Sequence, residues 1–378
     1  MKRMGLKRTG HAGQRRIFFV LDRATRKFPG DIGLWMQYIE FARRQKANKK
    51  LSQILTNLLR LHPTKPALWI YAAKYTLEEK SDITEARSYM QRALRFCKRS
   101  RDLWLEYAKL EMMYISQIAT RGRILGRQES RDLEAETGSE VLKLPAIIAP
   151  ETYSNAAFDE TVDEGVLAEL YQIPALSGAI PMAIFDAAMK QFNNENILGQ
   201  QFFDIVASFH YIPCMAKVLQ HVVDGLIGAR PHSPHALACY IQQPTLSVGT
   251  KSADYPAAIR TSLDRLGSSM EILSTTQSVI TCPQARSILA HRVIEWLLRL
   301  VEIDDVDSDL ALVLSATLKK TWARFLTDLA DDPGVSADDL SSLLKQMQAQ
   351  GLPKMAESAI TVGSSIWPED KRFLGMVG

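Results

Sequence analysis

The stretch DIGLWMQYIEFARR, residues 31–44, is followed by the similar stretch PALWIYAAKYTLEE, residues 66–79. A third copy, DLWLEYAKLE, occupies residues 102–111. Trp35, Trp69 and Trp104 mark the three copies and lie 34 and 35 residues apart. A nearly constant period of this size is typical of stacked supersecondary units. The sequence therefore predicts a repeat architecture.

Each copy opens with the pattern of an amphipathic helix. Aromatic or aliphatic side chains follow each Trp at spacings of three and six residues, with Ala72 as the one small member, and positions so spaced share one helix face. We predict that this face forms the repeat core, because aromatic stripes at helical spacing usually pack rather than bind. Base stacking by an exposed indole is the alternative. The predicted core residues are Trp35, Tyr38, Phe41, Trp69, Tyr75, Trp104, Tyr107, Leu110, Ala24 and Ala93.

A second helix accompanies each Trp helix, in residues 17–28, 51–61 and 86–96. Pro29 and Pro63 each stand six residues before the next Trp, where proline ends one helix and forces a turn. Each unit is thus a helical hairpin that buries its apolar face only against its neighbours. We predict an all-α fold, an α-solenoid of TPR-like helical hairpins with a long irregular insertion near the middle.

Three regions are predicted along the chain. Residues 1–126 form basic repeats, 127–178 an irregular insertion with acidic residues and prolines, and 179–378 degenerate, acidic helical repeats. The insertion breaks the third repeat, and a loop of this length tends to be functional or disordered. Both a partner-binding role and simple disorder remain open for it.

Charge is divided unevenly between the two parts of the chain. Residues 1–131 contain 29 Lys and Arg against 11 Asp and Glu, a net of +18, whereas residues 132–378 carry a net of −14. The basic part is predicted to contact RNA phosphates or an acidic partner with strong salt dependence. The alternative is a set of solvated helix faces. The candidate contact residues are Arg15, Arg16, Arg43, Arg44, Lys46, Lys49 and Lys50.

Motifs of catalysis are absent from the sequence. It contains no GxxxxGK[ST], GxGxxG, HExxH or GxSxG element. His232, His235 and Cys239 have a spacing that could hold a metal, but Pro231 and Pro234 interrupt it, which favours an ordinary helix start. We therefore predict no catalytic residue, no cofactor and no metal site.

Two further features concern the cellular setting. The four cysteines show no CxxC pairing and no disulfide spacing, and they are interpreted as reduced thiols of an intracellular protein. No apolar run reaches the roughly eighteen residues of a membrane helix, so no membrane association is predicted.

The repeat residues resemble a known family. The pattern Trp-x-x-Tyr-x-x-aromatic/Leu, with an Ala-Arg-x-x-x-x-Arg-Ala second helix, resembles the HAT (half-a-TPR) repeat of RNA-processing proteins. Residues 11–42 and 103–126 are similar to the HAT-repeat family of the small-subunit processome that associates with the U-three small nucleolar ribonucleoprotein. The similarity is dense over residues 10–126 and faint thereafter.

This resemblance implies a function. Such proteins are non-catalytic scaffolds of the nucleus and nucleolus that support early processing of the small-subunit ribosomal RNA precursor. The implied partners are WD-repeat propeller proteins and other processome subunits, with the U-three snoRNP and precursor RNA contacted through the RNA backbone and no small-molecule substrate. Family members usually have a helical segment ahead of the point where this chain begins, which implies a truncated gene model, a fragment or an alternative start.

Other functions stay open at this stage. One is a HAT-type scaffold in splicing or messenger-RNA end formation, and another is a TPR-like adaptor that binds peptides. The third is an enzyme, which would need paired acids, or a His with a nucleophile, gathered within residues 180–378.

Overall fold

The computed structural model describes residues 5–136, 174–209, 212–249, 252–275, 282–301, 308–331, 334–368 and 370. These residues form fifteen α-helices and one short 3-10 helix, Pro174–Ser177, and contain no β-strand. The predicted all-α class of helical hairpins is confirmed. Across the same ranges, every helix is too short or too polar to cross a membrane.

The chain divides into two compact units, Met1–Leu110 and Glu111–Gly378. The first unit contains the predicted repeats. Its helices are α1 (Gly5–Lys27), α2 (Ile32–Arg44), α3 (Asn48–Leu61), α4 (Pro66–Lys80), α5 (Ile83–Phe96) and the beginning of α6 (Arg101–Glu136). Helices α2 and α3 form one hairpin and α4 and α5 the next, each pair in direct contact.

Local sequence explains where these helices begin and end. The Asp31 carboxylate accepts a hydrogen bond from the Leu34 amide at 3.2 Å, and Asp82 accepts one from the Glu85 amide at 3.0 Å. Both carboxylates satisfy amides that the helix itself cannot. Pro66 stands in the first turn of α4, where its missing N–H costs nothing.

The second unit contains the remaining helices. They are α7 (Ala179–Gln191), α8 (Asn196–Ala207), α9 (Met215–Ala229), α10 (Pro234–Ser247), α11 (Tyr255–Thr275), α12 (Cys282–Val301), α13 (Ser308–Asp331), α14 (Ala337–Ala349) and α15 (Pro353–Ile366). A continuous apolar core runs from α10 to α15 and includes Trp296, Trp322 and Phe325. Both tryptophans are buried although they lie outside the 34-residue register.

The predicted insertion at 127–178 differs from the structure at its start. Helix α6 continues to Glu136, ten residues past the expected boundary. Residues 127–136, RQESRDLEAE, contain neither Pro nor Gly and are rich in good helix formers, so nothing local stops the helix. The prediction for residues 137–173 lies outside the described residues.

Close packing of α8 on α9 supports a stability prediction. A Cβ added at Gly199 would collide with the fully buried Leu226 side chain, whereas one added at Gly228 meets no atom within 4 Å. We expect Gly199→Ala to destabilise the second unit by about 1–3 kcal/mol through overpacking. Gly228→Ala, the matched control, should be neutral or stabilise by up to about 1 kcal/mol through helix propensity. Urea denaturation followed by circular dichroism compares the two variants. Equal unfolding midpoints would contradict the close packing of Leu226 on Gly199.

Candidate nucleic-acid interface

The predicted repeat-core residues occupy two environments. Seven are buried, namely Trp35, Tyr38, Trp69, Tyr75, Tyr107, Leu110 and Ala93, and three are half-buried, namely Phe41, Trp104 and Ala24. Burial raises the pKa of Tyr38 to about 12. Trp104 stands in the first turn of α6, which continues for 36 residues. The buried indoles cannot serve as an open base-stacking platform.

Hydrogen bonds of the Trp residues align the turns between repeats. Each indole N–H donates to the carbonyl six residues earlier: Trp35 to Pro29 at 3.0 Å, Trp69 to Pro63 at 2.9 Å and Trp104 to Lys98 at 3.4 Å. Successive turns also touch, since His62 Nε2 lies 2.8 Å from the Pro29 oxygen and Cys97 Sγ donates to the Pro63 oxygen at 3.4 Å. The turns at residues 26–31, 60–65 and 95–100 therefore lie side by side. We call this strip the turn edge.

Several of the predicted basic contact residues are paired with acids. Arg43 donates to Glu79 at 2.6 Å, and this hydrogen bond raises the pKa of the Arg43 guanidinium. Arg44 pairs with Glu40 one helical turn away. These two arginines and Lys46 line an open cleft of about 520 Å³ between α2 and α4, which Glu40 and Glu79 also line. The carboxylates lower the positive potential of this cleft.

The other predicted cations are spread over the surface of the first unit. Lys50 Nζ lies 3.8 Å from an Asp22 carboxylate oxygen, a long surface pair of little energetic weight. Arg15, Arg16, Lys46 and Lys49 are exposed and form no ion pair with any residue that the structure describes. Their contact with RNA or an acidic partner remains a prediction.

The turn edge carries a basic cluster that sequence reasoning missed. Its exposed cations are Arg60, Lys65, Arg95, Lys98 and Arg99, and none forms an ion pair within the described ranges. Arg95, Lys98 and Arg99 line an open cavity of about 640 Å³. The other lining residues are Thr64, Pro66, Phe96, Cys97 and Ser100. A signal existed, because Arg26, Arg60 and Arg95 recur at the repeat spacing of 34 and 35 residues.

The weak metal candidate spans the start of α10. His232 is exposed ahead of the helix, whereas Cys239 is fully buried within it. His235 Nδ1 lies 2.5 Å from the Gln200 amide, so the three candidate ligands do not converge. Over the ranges that the structure covers, no group of three His, Cys, Asp or Glu side chains is placed to hold a metal ion.

Burial keeps the described thiols protonated. It raises the pKa of Cys214 to about 11, raises that of Cys239 well above its usual range, and also raises that of the half-buried Cys97. Nucleophilic cysteines need a lowered pKa, because the thiolate is the reactive form. These three are therefore poor nucleophiles. The Cys282 side chain lies outside the described residues.

A polar network joins α8, α10 and α12. The buried Gln200 amide donates to His235 Nδ1 at 2.5 Å and accepts from Arg292 Nε at 2.8 Å. Burial and the Arg292 charge lower the pKa of His235. Burial also lowers the pKa of His291, with Arg292 adding to the effect while Glu295 and Asp339 oppose it.

This network predicts acid sensitivity in the second unit. The folded pKa of both histidines lies below the ordinary value of 6.5, so the unfolded chain binds more protons as the pH falls below 6.5. Stability is fully present above that value and is lost as the pH falls through the folded pKa. We expect His235→Gln to reduce this loss while keeping a hydrogen-bonding side chain. Urea denaturation at pH 7.5 and at about pH 5 measures this loss of stability in the parent chain and in the variant. An equal loss in both would contradict the role assigned to His235.

Comparison with known proteins gives matches to proteins of the same name in several organisms. The chain is 35% identical over 115 residues to the U3 small nucleolar RNA-associated protein 6 of Schizosaccharomyces pombe, covering 30% of this chain and 24% of that protein. The Homo sapiens homologue of that protein is 35% identical over 103 residues, covering 27% and 17%. The chain has homologues named U3 small nucleolar RNA-associated protein 6. In Dictyostelium discoideum, the homologue is 23% identical over 197 residues, covering 52% of this chain and 32% of that protein.

The extent of these matches is limited. The matched segment spans about a quarter of the Schizosaccharomyces pombe protein, at 24% of its length, and no protein-family model matches the chain. Among solved structures, the chain is similar to the APC/C hetero-tetramer Cut9-Hcn1 at 12% identity and a TM-score of 0.26, covering 96% of this chain and 52% of that one. A TM-score of this size does not establish a common fold, so the fold class depends on the helices themselves.

Proposed function

We propose that this chain is a non-catalytic scaffold of ribosome biogenesis that acts within the small-subunit processome. The observation that carries the proposal is its similarity to U3 small nucleolar RNA-associated protein 6 of several species, at up to 37% identity. Two stacked hairpins in the first unit are compatible with this role, because helical repeats offer extended surfaces for protein partners.

Location and partners follow from the same similarity. We place the chain in the nucleus and nucleolus, in a particle that contains the U3 snoRNP and precursor ribosomal RNA. Its protein partners are WD-repeat propeller proteins and other processome subunits, and its contribution is to support early processing of small-subunit ribosomal RNA. The buried, protonated thiols and the scattered candidate ligands offer no support for an enzyme.

Sedimentation of the tagged full chain tests this proposal. We expect the protein from growing cells to migrate through a sucrose gradient with large particles that contain the U3 snoRNA. Treatment of the lysate with ribonuclease should shift it to lighter fractions, which controls for aggregation. Migration with spliceosomal RNAs would instead support a scaffold of splicing, and a ribonuclease-insensitive monomer would contradict the assignment to an RNA particle.

A further inference from the structure

The cavity on the turn edge has a lining of one sign. Its charged members are Arg95, Lys98 and Arg99, and no acidic residue lines it. All three cations are exposed and form no ion pair among the described residues. Thr64 and Ser100, whose side chains carry hydroxyl groups, also line the cavity. Its volume of about 640 Å³ is in the range of small-ligand sites. Such a lining favours an anionic ligand that also accepts hydrogen bonds.

An exposed aromatic side chain at this cavity is stacked on a buried one. The Phe96 ring is stacked on Trp69, with 6.0 Å between ring centroids and 15° between ring planes. Trp69 is itself held by its hydrogen bond to the Pro63 carbonyl at 2.9 Å. Phe96 is nevertheless 58% exposed. A ring supported on one side and open on the other can stack with another flat ring at little cost in side-chain entropy.

The basic side chains continue beyond the cavity. Arg26, Arg60 and Arg95 occupy equivalent positions in three successive repeats. The contacts of His62 with Pro29 and of Cys97 with Pro63 bring their turns next to one another. Arg60 and Arg95 lack ion pairs in the described part of the chain, whereas Arg26 pairs with Asp22 at 2.6 Å. The turn edge thus presents a row of cations that an extended polyanion can follow.

We infer that the turn edge is a binding site for single-stranded RNA. One base stacks on the open side of Phe96, and neighbouring phosphates contact Arg95, Lys98 and Arg99. A single strand fits because a base inside a duplex is not free to stack on a side chain. Stacking on an aromatic platform and phosphate contacts are both tolerant of sequence, so the site discriminates weakly between sequences. An acidic protein segment would use the cations but leave Phe96 without a function. This inference rests on the proposed function, which places the chain beside RNA.

Binding of the purified full chain to a fluorescein-labelled oligouridine of about twelve nucleotides tests the charged part of the site. We expect the triple variant Arg95→Gln, Lys98→Gln, Arg99→Gln to weaken binding at least about tenfold at low salt. Its slope of log affinity against log salt should fall by about 2, since each phosphate contact on a single strand contributes about 0.7. The matched control removes three exposed cations of the second unit, to which no role in binding is assigned, through Lys319→Gln, Lys320→Gln and Arg324→Gln. The control should change affinity less than about threefold.

Phe96→Leu tests the stacking part of the site separately. Leucine keeps an apolar cover over Trp69 but cannot stack on a base, so we expect affinity to fall about tenfold with the salt slope unchanged. Thermal unfolding close to that of the parent chain confirms that each variant is folded.

Two results would overturn the inference. One is equal loss of binding in the two triple variants, or loss in neither. The other is a combination of two observations: Phe96→Leu binds RNA as tightly as the parent chain, and polyglutamate competes for the site as effectively as RNA does. This combination would assign the turn edge to an acidic protein segment. Failure of this site leaves the proposed function intact if the full chain still sediments with particles containing the U3 snoRNA.

Discussion

Replacing Trp69 by Ala is expected to lower the free energy of unfolding of the first unit by about 3–5 kcal/mol. The indole is 5% exposed, and its N–H donates to the Pro63 carbonyl. It also packs against Tyr89 and Phe96, with ring centroids 6.5 and 6.0 Å away. The substitution therefore removes a large buried surface, a hydrogen bond and the support of the α5 aromatics together.

Trp104→Ala is the matched control for this prediction. Trp104 has the same place in its repeat, but it is half-buried and its hydrogen bond to Lys98 is longer, at 3.4 Å. We expect Trp104→Ala to lower the free energy of unfolding by at most about 2 kcal/mol. Hydrogen exchange of peptides from residues 66–96, followed across a denaturant series, measures the first unit directly. Equal costs for the two substitutions would contradict the assignment of the larger cost to the deeper burial and shorter hydrogen bond of Trp69.

Replacing Arg286 by Met is expected to destabilise the second unit by about 2–4 kcal/mol. The guanidinium of Arg286 donates to a single Asp328 oxygen from Nε at 3.0 Å and from Nη2 at 2.6 Å, and it joins α12 to α13. Asp328 is only 6% exposed. Removing the cation leaves a buried carboxylate without compensation, and this loss accounts for most of the cost. The partial exposure of Arg286, at 28% of its side chain, places the expected cost below that of a fully buried pair.

Two further variants separate this effect from general surface electrostatics. The double variant Arg286→Met, Asp328→Leu should regain most of the lost stability, because apolar pairs often replace buried ion pairs without loss. Arg44→Met removes an exposed pair with Glu40, in which the side chains are 72% and 61% exposed, and it should cost no more than about 0.5 kcal/mol. Urea denaturation compares the three. A double variant as unstable as Arg286→Met would contradict the argument.

The repeats could be predicted because their signal is local. The spacing of Trp35, Trp69 and Trp104 predicted three equivalent helices, and α2, α4 and α6 contain them. Pro29 and Pro63 lie outside helices, as their place before each Trp indicated. The end of helix α6 was harder to predict, since the loss of sustained periodicity after residue 126 was interpreted as the start of an irregular insertion, whereas the helix continues to Glu136. A helix can lose its repeat pattern and still continue through good helix formers.

The basic surface could be predicted only in part, since pairing depends on neighbours distant in sequence. Arg43 pairs with Glu79, which stands 36 residues later, and no short pattern indicates this. Arg95 lies in the same kind of helix end but remains without an ion pair in the described structure. The burial of Trp296 and Trp322 was likewise not evident, because their hydrogen bonds reach Thr245 and Ser358, 51 and 36 residues away.

Affinity purification of the tagged full chain from growing cells, with identification of both the proteins and the RNAs retained, tests the assignment to ribosome biogenesis most directly. The predicted result is recovery of the U3 snoRNA and the small-subunit ribosomal RNA precursor together with WD-repeat propeller proteins. The same tag on an unrelated nuclear protein provides the background. Recovery of spliceosomal small nuclear RNAs in their place, or of the chain alone, would contradict it.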